Sequence, residues 1–306
     1  MRWDDFRRSD NVEDARDGGG GGGGGFGIPG GRGGLGIGTI VVLGLVGWAL
    51  GIDPRILIGG AEILTGGGSQ YEQPAQPPRE ARRGAPTDQA GQFVAAVLGS
   101  TEDVWGEVFK QNGQTYRPPR LRLFARATDG GHCGVAQAAM GPFYCPPDRV
   151  VFLDTAFFRE IENRFRGCRG PACKFSQAYV IAHEVGHHVQ NELGILRKAQ
   201  GEQQQAGGRA AANRIQVRVE LQADCFAGVW ANLQEKRSKF IEPGDIDAAM
   251  QTASAIGDDT LQRKAQGRVV PDSFTHGSAE QRKRWFMAGY QQGRVSACNT
   301  FAAGSP

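Results

Sequence analysis

The sequence predicts an α+β fold in which short strands come first and long helices follow. Two stretches, LRLFAR (121–126) and RVVFLD (149–154), carry apolar residues in the alternating or clustered pattern of strands. Helical spacing of apolar residues then recurs at 176–192, 212–238, 245–256 and 278–292. Because the strands precede the helices and do not alternate with them, the order favours one sheet packed against helices over βαβ units.

The folded region is shorter than the chain of 306 residues. The 47 glycines are concentrated towards the N-terminus, and residues 1–34 are charged and then glycine-rich, so we predict a disordered tail there. A Pro/Gly-rich linker is predicted over residues 53–86. The composition becomes globular from about Thr87, which would cap a first helix that Gly99 could break. One domain is therefore expected over residues 87–306.

An uncharged stretch of 18 residues, LGIGTIVVLGLVGWALGI at 35–52, is just long enough to cross a bilayer as a helix. Trp48 near one end suits a membrane interface, and the spacing of Gly47 and Gly51 would allow weak self-association of such helices. A cleaved signal peptide fits less well, because the stretch starts late and lacks a convincing cleavage site. A buried helix of a soluble domain stays open, since glycine is frequent and the length is minimal.

The charge balance argues against a nucleic-acid partner. A net charge of +3 and a pI near 8.6 are too mild for one, and no stripe of aromatic and basic residues is present. The stretch GRGGLG at 31–36 matches GxGxxG formally. No predicted strand or βαβ unit surrounds it, so we reject a dinucleotide site.

Six cysteines, all in the C-terminal two-thirds of the chain, favour disulfide bonds. Two pairs bracket short loops and a third pair remains, which gives Cys168–Cys173, Cys133–Cys145 and Cys225–Cys298. A structural zinc site is the alternative, but the spacings are irregular and include no CxxC. Disulfides indicate an oxidising compartment.

The cysteines also decide the expected membrane orientation. Arg32 and Arg55 lie on either side of the apolar stretch, so the positive-inside rule is undecided. With disulfides in the C-terminal domain, we expect a single-pass protein of the cell membrane whose C-terminal domain lies outside the cytoplasm, in the periplasm or beyond.

The stretch AYVIAHEVGHHVQNELG at 178–194 contains an HExxH motif from His183 to His187. On a helix, histidines four residues apart project from nearly the same face, so both imidazoles can reach one ion. Glu184 can place its carboxylate over a metal-bound water. A helix with a merely polar face fits poorly, because the flanking residues are apolar and unligated histidines would be costly to bury there. We therefore predict Zn²⁺ as cofactor, His183 and His187 as ligands, and Glu184 as general base.

A third ligand is predicted on a second helix. Leu193 stands six residues after His187, where metzincin-like sites have their third histidine, so the ligand has to come from elsewhere. In RIQVRVELQADCFAGVWANL (214–233), Glu220 and Asp224 lie four apart on one face of a largely apolar helix. We predict Glu220 as the third ligand and Asp224 as the acceptor from a ligand imidazole N–H. Two solvated carboxylates are the alternative.

Together these motifs resemble the putative neutral zinc metallopeptidase family of membrane-anchored bacterial proteins. Besides HEVGHHVQ and ELQADCFAGVWA, the matching stretches are GPFYCPPDRVVFLD and SFTHGSAEQRKRWFMAGY, and the similarity spans roughly residues 87–300. The resemblance implies a zincin-like fold, in which a small mixed sheet accompanies the active-site helices and an edge strand lies beside the cleft. RVVFLD is the candidate for that strand, which would bind an extended peptide by strand addition.

Three histidines lie outside the predicted ligand pair. His276 lies just before a helix that begins with a predicted capping box, Ser278 with Gln281. The resemblance implies that a distal histidine reaches the tetrahedral oxyanion, and His276 is the candidate; a capping or solvent-exposed histidine is the alternative. His188 points off the motif face and is expected at the surface or in a hydrogen bond, and His132 is assigned no role.

The predicted function is zinc-dependent hydrolysis of peptide or protein substrates. Zinc held by three protein ligands would lower the pKa of its water towards about 7. Glu184 would take the proton and later deliver it to the leaving amine. The alternative is a catalytically silent, zinc-stabilised module that binds peptides at the membrane surface, and the presence of Glu184 favours the enzyme.

Overall fold

A mixed sheet and eight α-helices make up the described part of the chain, residues 1–16, 82–84, 86–163, 168–302 and 304 of a computed structural model. The strands are β1 (Val12–Asp14), β2 (Arg82–Arg83), β3 (Arg120–Phe124), β4 (Ala127–Asp129), β5 (Val135–Gln137), β6 (Phe143–Cys145) and β7 (Val150–Asp154). The helices are α1 (Gln89–Gln111), α2 (Ala156–Asn163), α3 (Cys173–Glu192), α4 (Ile195–Gln204), α5 (Arg209–Ser238), α6 (Asp245–Ala255), α7 (Asp258–Gln266) and α8 (Ala279–Gln292). The predicted α+β class is confirmed, with helices dominant.

The five-stranded sheet has the order β2-β1-β3-β7-β6, and β4 and β5 form a separate antiparallel pair. Strands β1, β3 and β7 are parallel, whereas β2 and β6 run antiparallel to their neighbours. The prediction that RVVFLD forms the edge strand is wrong, because β7 lies between β3 and β6. The edge strands are β2 and β6, and the three residues of β6, the neighbour of β7, are too few to show a strand pattern in the sequence.

The first 16 residues belong to this folded unit, so the predicted disordered tail over 1–34 is wrong for that part. Strand β1 lies between β2 and β3, and Met1, Phe6 and Val12 are at most 7% exposed. The charged composition of this segment suggested disorder because its few apolar residues stand among many charged ones. In the fold, however, charged side chains of the segment form ion pairs. The Glu13 carboxylate, for example, accepts hydrogen bonds from two arginines of β3 at 2.6 and 2.8 Å. The glycine-rich remainder of the tail lies outside the described residues.

The chain leaves β1 and returns in β2, which is its antiparallel neighbour, with Glu13 opposite Arg83. The predicted linker therefore ends inside the sheet and not before it. The apolar stretch 35–52, including Gly47 and Gly51, lies outside the described residues, and the residues that are described contain no helix long and apolar enough to cross a membrane. A single crossing between β1 and β2 would put two paired strands on opposite sides of the bilayer. The stretch itself is not among the described residues, so the single-pass arrangement stays a prediction.

The start of α8 matches its sequence signal, whereas α1 departs from its prediction at two positions. Ser278 and Gln281 form the predicted capping box at the start of α8. At α1 the cap is Asp88 and not Thr87, because the Asp88 carboxylate accepts the Gly91 N–H at 3.1 Å. Helix α1 also continues through Gly99 without a break, since buried apolar neighbours outweigh the low helix propensity of glycine.

Helix α5 packs against both α3 and α8, and glycines allow close approach at both contacts. A Cβ on Gly186 of α3 would lie 2.9 Å from the carbonyl oxygen of Ala223 in α5. A Cβ on Gly289 of α8 would lie 2.0 Å from the carbonyl oxygen of Cys225. Larger side chains would therefore push the helices apart. Gly186, the glycine of the HEVGHH stretch, thus has a packing role.

The three predicted disulfides are confirmed. Cys168 and Cys173 are separated by 5 positions in the sequence, and Cys133 and Cys145 by 12. Cys225–Cys298 spans 73 residues and ties α5 to the turn Val295–Cys298 that follows α8. The described residues include no free cysteine.

Candidate metal centre

Helices α3 and α5 bring His183, His187 and Glu220 together, as predicted from the sequence. The Nε2 atoms of His183 and His187 lie 3.2 and 3.4 Å from Oε2 of Glu220. The other carboxylate oxygen, Oε1, accepts a hydrogen bond from the side-chain amide of Gln216 at 2.8 Å. One oxygen of Glu220 therefore faces both imidazoles while the other is held by its own helix.

The spacing of these atoms fits zinc. Ligands about 2.05 Å from a tetrahedral ion would stand about 3.3 Å apart, and the two observed separations, 3.2 and 3.4 Å, bracket that value. Two imidazole nitrogens and one carboxylate oxygen are also the donor set of many catalytic zinc sites. A second group, Glu162 with Cys168 and Cys173, offers no thiolates because its cysteines are disulfide-bonded.

The two histidines and Glu220 shift one another's pKa values. Burial favours a raised pKa for the Glu220 carboxyl, but the neighbouring His187 and His183 outweigh it and hold the pKa well below its usual range. Burial likewise disfavours a charged His187, but Glu220 outweighs this and raises the pKa to about 9. Metal binding therefore competes with protonation of the imidazoles.

Asp224 supports His183, as predicted. Its Oδ1 lies 2.8 Å from Nδ1 of His183, and the carboxylate is fully buried. Two partners that the sequence did not reveal hold this carboxylate. The hydroxyl of Tyr179 donates to Oδ1 at 2.5 Å, and the Arg282 guanidinium donates to Oδ2 at 2.8 Å. Burial alone would raise the pKa of Asp224, but the Arg282 charge and His183 outweigh it, so the pKa is lowered.

A neutral amide supports His187. The Nδ1 atom of His187 lies 2.9 Å from Oε1 of Gln190, one turn further along α3, and Gln190 is fully buried. Both nitrogens that face away from the cluster are therefore engaged, which leaves the Nε2 atoms directed at Glu220. Gln190 was not predicted from the sequence, although its spacing of three residues from His187 could have indicated it.

Glu184 is 8% exposed and adjoins the cluster on the same helix. Burial raises the pKa of its carboxyl, although the nearby histidines act in the opposite direction. A carboxylate with a raised pKa accepts a proton more readily, which suits a general base.

His276 lies on a loop that Asp258 holds in place. The Oδ2 atom of Asp258 accepts backbone N–H groups from Thr275 and His276, both at 2.6 Å, and from Gly277 at 3.1 Å. The imidazole is about half exposed, with Nδ1 3.3 Å from Oδ1 of Asp258. Partial removal from solvent disfavours the charged form of the imidazole, but Asp258 and Glu220 outweigh this and raise the pKa of the ring. The charge of His276 acts to lower the pKa of the Glu184 and Glu220 carboxyls, although other groups contribute more.

His188 is buried and does not face the cluster, as its position on α3 predicts. Its Nδ1 lies 2.9 Å from the Tyr144 hydroxyl, and its Nε2 lies 2.7 Å from the carbonyl oxygen of Arg117. The carbonyl can only accept, so Nε2 carries the proton. The remaining histidine, His132, pairs with Asp148 at the surface.

A family model described as "Putative neutral zinc metallopeptidase" matches residues 1–301 of the chain. The chain belongs to this family. The match includes the first 16 residues, in agreement with their place in the folded unit. Membership in a zinc metallopeptidase family indicates zinc as the metal and peptide-bond hydrolysis as the general activity.

Relatives of similar length occur in bacteria. "Uncharacterized protein YpfJ" of Escherichia coli (strain K12) is 45% identical over 305 residues, which is 98% of this chain and 99% of that protein. "Uncharacterized protein Rv2575" of Mycobacterium tuberculosis (strain ATCC 25618 / H37Rv) is 40% identical over 263 residues, 83% of this chain and 84% of that protein. No solved structure matches the chain.

Proposed function

We propose that this chain is a zinc-dependent endopeptidase with His183, His187 and Glu220 as metal ligands. The observation that carries the proposal is the distance from Oε2 of Glu220 to the two imidazole Nε2 atoms, 3.2 and 3.4 Å, which suits a tetrahedral ion beside the helix that also carries the buried Glu184. A metal held by three protein groups leaves a fourth position open, as catalytic zinc sites require. When bound there, zinc acidifies a water molecule and polarises the scissile carbonyl.

The remaining chemistry is assigned to side chains of this chain. Glu184 takes the proton of the attacking water and passes it to the amine that leaves. His276, held through Nδ1 by Asp258, presents Nε2 as a donor to the oxyanion that develops on the substrate carbonyl. Asp224 and Gln190 keep the ligand imidazoles in the tautomer that frees their Nε2 atoms.

We assign substrate binding to strand β6, which lies at one edge of the five-stranded sheet. Its Tyr144 hydroxyl reaches His188, the neighbour of His187, so this edge is tied to the helix that carries the motif. An extended peptide can add to such an edge through main-chain hydrogen bonds. The proposed substrate is therefore a stretch of unfolded or flexible polypeptide.

The test uses the purified full chain and its Glu184→Gln variant, since residues 1–16 are part of the fold. The variant should keep the zinc of the wild type and lose hydrolysis of an unfolded protein such as casein, because only the proton acceptor has changed. Retained hydrolysis in the variant would overturn the general-base assignment. Zinc binding without hydrolysis in the wild type would favour the peptide-binding module.

We also propose attachment to a membrane through residues 35–52, with both flanks on one side of the bilayer. The uncharged stretch supports attachment, and the pairing of β1 with β2 supports an arrangement other than a single crossing. The three disulfides support an oxidising compartment for the folded unit. The wild type should stay in the membrane pellet after carbonate extraction, and Leu45→Lys should be released. Release of the wild type would contradict attachment.

A further inference from the structure

The hydrogen bond from His187 to Gln190 is the first of a series that leads away from the metal centre. The side-chain N–H₂ group of Gln190 faces two oxygens, the carbonyl of Val219 at 2.8 Å and Oε1 of Gln222 at 3.0 Å. The side-chain N–H₂ group of Gln222 in turn faces the carbonyl oxygen of Cys298 at 2.9 Å. Two buried amides thus connect His187 to the C-terminal end of the fold.

We call the series from His187 through Gln190 and Gln222 to the Cys298 carbonyl the amide relay. The direction of every hydrogen bond in it is fixed. A backbone carbonyl can only accept, so the carbonyls of Val219 and Cys298 oblige each glutamine to present its nitrogen to them. Oε1 of Gln222 then accepts from Gln190, and Oε1 of Gln190 is left to accept from His187. The proton of His187 must therefore be on Nδ1, which leaves the lone pair of Nε2 for a metal.

The far end of the relay is anchored covalently. Cys298 is bonded to Cys225 of α5, three residues after Gln222. The disulfide therefore holds the Cys298 carbonyl close to the helix that carries the donating amide of Gln222. Thr300 adds a hydrogen bond to the carbonyl of Arg218 on the same helix at 2.7 Å. Cys298 is 1% exposed, Gln222 6% and Gln190 fully buried, so water does not compete with these bonds.

We propose that Gln190 and Gln222 are positioning residues that fix the tautomer and orientation of His187, and that the Cys225–Cys298 disulfide holds the end of their relay. The inference rests on the proposed metal site. Partners of this kind around metal-binding histidines change metal affinity by about 10–100-fold when removed. Gln190, which touches His187, should lie in that range, and Gln222, one bond further away, should change affinity by about 3–10-fold.

The experiment measures Zn²⁺ affinity of the full chain by competition with a chromophoric chelator. The variants are Gln190→Met and Gln222→Met, which keep the length of the side chain and remove the amide. The matched control is Gln234→Met, also a buried glutamine of α5, whose amide bonds only to Ser238. Weaker zinc binding by both relay variants but not by the control is expected. Equal affinities of Gln222→Met and Gln234→Met would overturn the proposal.

Two further readouts separate positioning from a loss of folding. At saturating Zn²⁺ both relay variants should regain hydrolysis, because only affinity has changed; a deficit that excess zinc does not repair would contradict a positioning role. Removing the disulfide as Cys225→Ala with Cys298→Ala should weaken zinc binding less in the Gln222→Met background than in the wild type, since the relay is already cut. Fully additive effects would contradict the link to the disulfide.

Failure of this inference is distinguishable from failure of the proposed function. If the wild type binds Zn²⁺ and the Glu184→Gln variant loses only hydrolysis, the peptidase assignment stands whatever the relay variants do. If the wild type binds no Zn²⁺, or if His187→Ala binds it as tightly as the wild type, the proposed site and the relay are both overturned.

Discussion

His183 and His187 lie one turn apart on α3, but different chemistry holds their Nδ1 atoms. His183 meets a buried carboxylate, Asp224, which is neutralised by the guanidinium of Arg282. His187 meets a neutral amide, Gln190, whose further partners are also neutral. One side of the metal centre is thus an ion-pair network across three helices, and the other is a series of amides.

The difference has energetic consequences. A buried charge that loses its partner is far more costly than a buried amide that loses a hydrogen bond. Substitutions in the network around His183 should therefore lower the stability of the whole fold. Substitutions in the amide series around His187 should lower metal affinity while the protein remains folded. The largest expected effects accordingly lie on α8, which delivers Arg282 and packs against α5 through Gly289.

The largest effect is expected for Arg282→Met. The change leaves the Asp224 charge buried without its main partner, and such losses cost about 3–5 kcal/mol of folding free energy. Urea unfolding of the zinc-free chain measures it. The control, Arg282→Met with Asp224→Asn, removes both charges and should regain most of the loss. If the single variant were as stable as the wild type, the proposed energetic difference between the His183 network and the His187 amide series would be contradicted.

The pH dependence of stability tests His188, which adjoins His187 on α3 but faces away from the cluster. Burial lowers the pKa of this imidazole to about 4 from its ordinary value of 6.5. The folded protein therefore binds fewer protons than the unfolded chain, and stability is lost as the pH falls from about 6.5 to about 4. At 1.36 kcal/mol per pH unit the loss reaches about 3 kcal/mol. His188→Gln, compared with the wild type by urea unfolding, should flatten this part of the profile; an unchanged slope would contradict a neutral His188.

A smaller effect is expected for Tyr179→Phe. The hydroxyl donates one hydrogen bond to Asp224, and bonds to charged groups contribute about 1.5–3 kcal/mol. Arg282 remains in place, so the loss should lie at the lower end of that range, with a modest decrease in zinc affinity. Thermal unfolding measures it, and Tyr290→Phe on α8 is a control. A loss as large as that of Arg282→Met would contradict the leading role of the guanidinium.

Much of the metal centre was predictable from the sequence because its ligands follow local rules. A spacing of four residues on a helix places His183 with His187 and Glu220 with Asp224, and the absence of a histidine at Leu193 directs the search to the second helix. The disulfide pairs were predictable for a similar reason, since two of them close short loops.

The supports were not predictable, because they depend on tertiary neighbours. Arg282 stands in the charged stretch AEQRKR, where a solvated position is the ordinary expectation for arginine, yet it is 3% exposed. Gln222 gains its role only when the disulfide brings the Cys298 carbonyl to it. Strand β1 was missed because its pairing partners lie about 70 and 110 residues away along the chain, beyond any local pattern.

The most direct test of the two-helix metal centre is the zinc content of the purified full chain, compared with Glu220→Ala. The variant removes the proposed ligand that lies outside HExxH and leaves that motif intact. We predict one zinc ion per wild-type chain, with loss of bound zinc in the variant under the same dialysis. Full retention of zinc by Glu220→Ala, or a wild-type chain without zinc, would contradict the account.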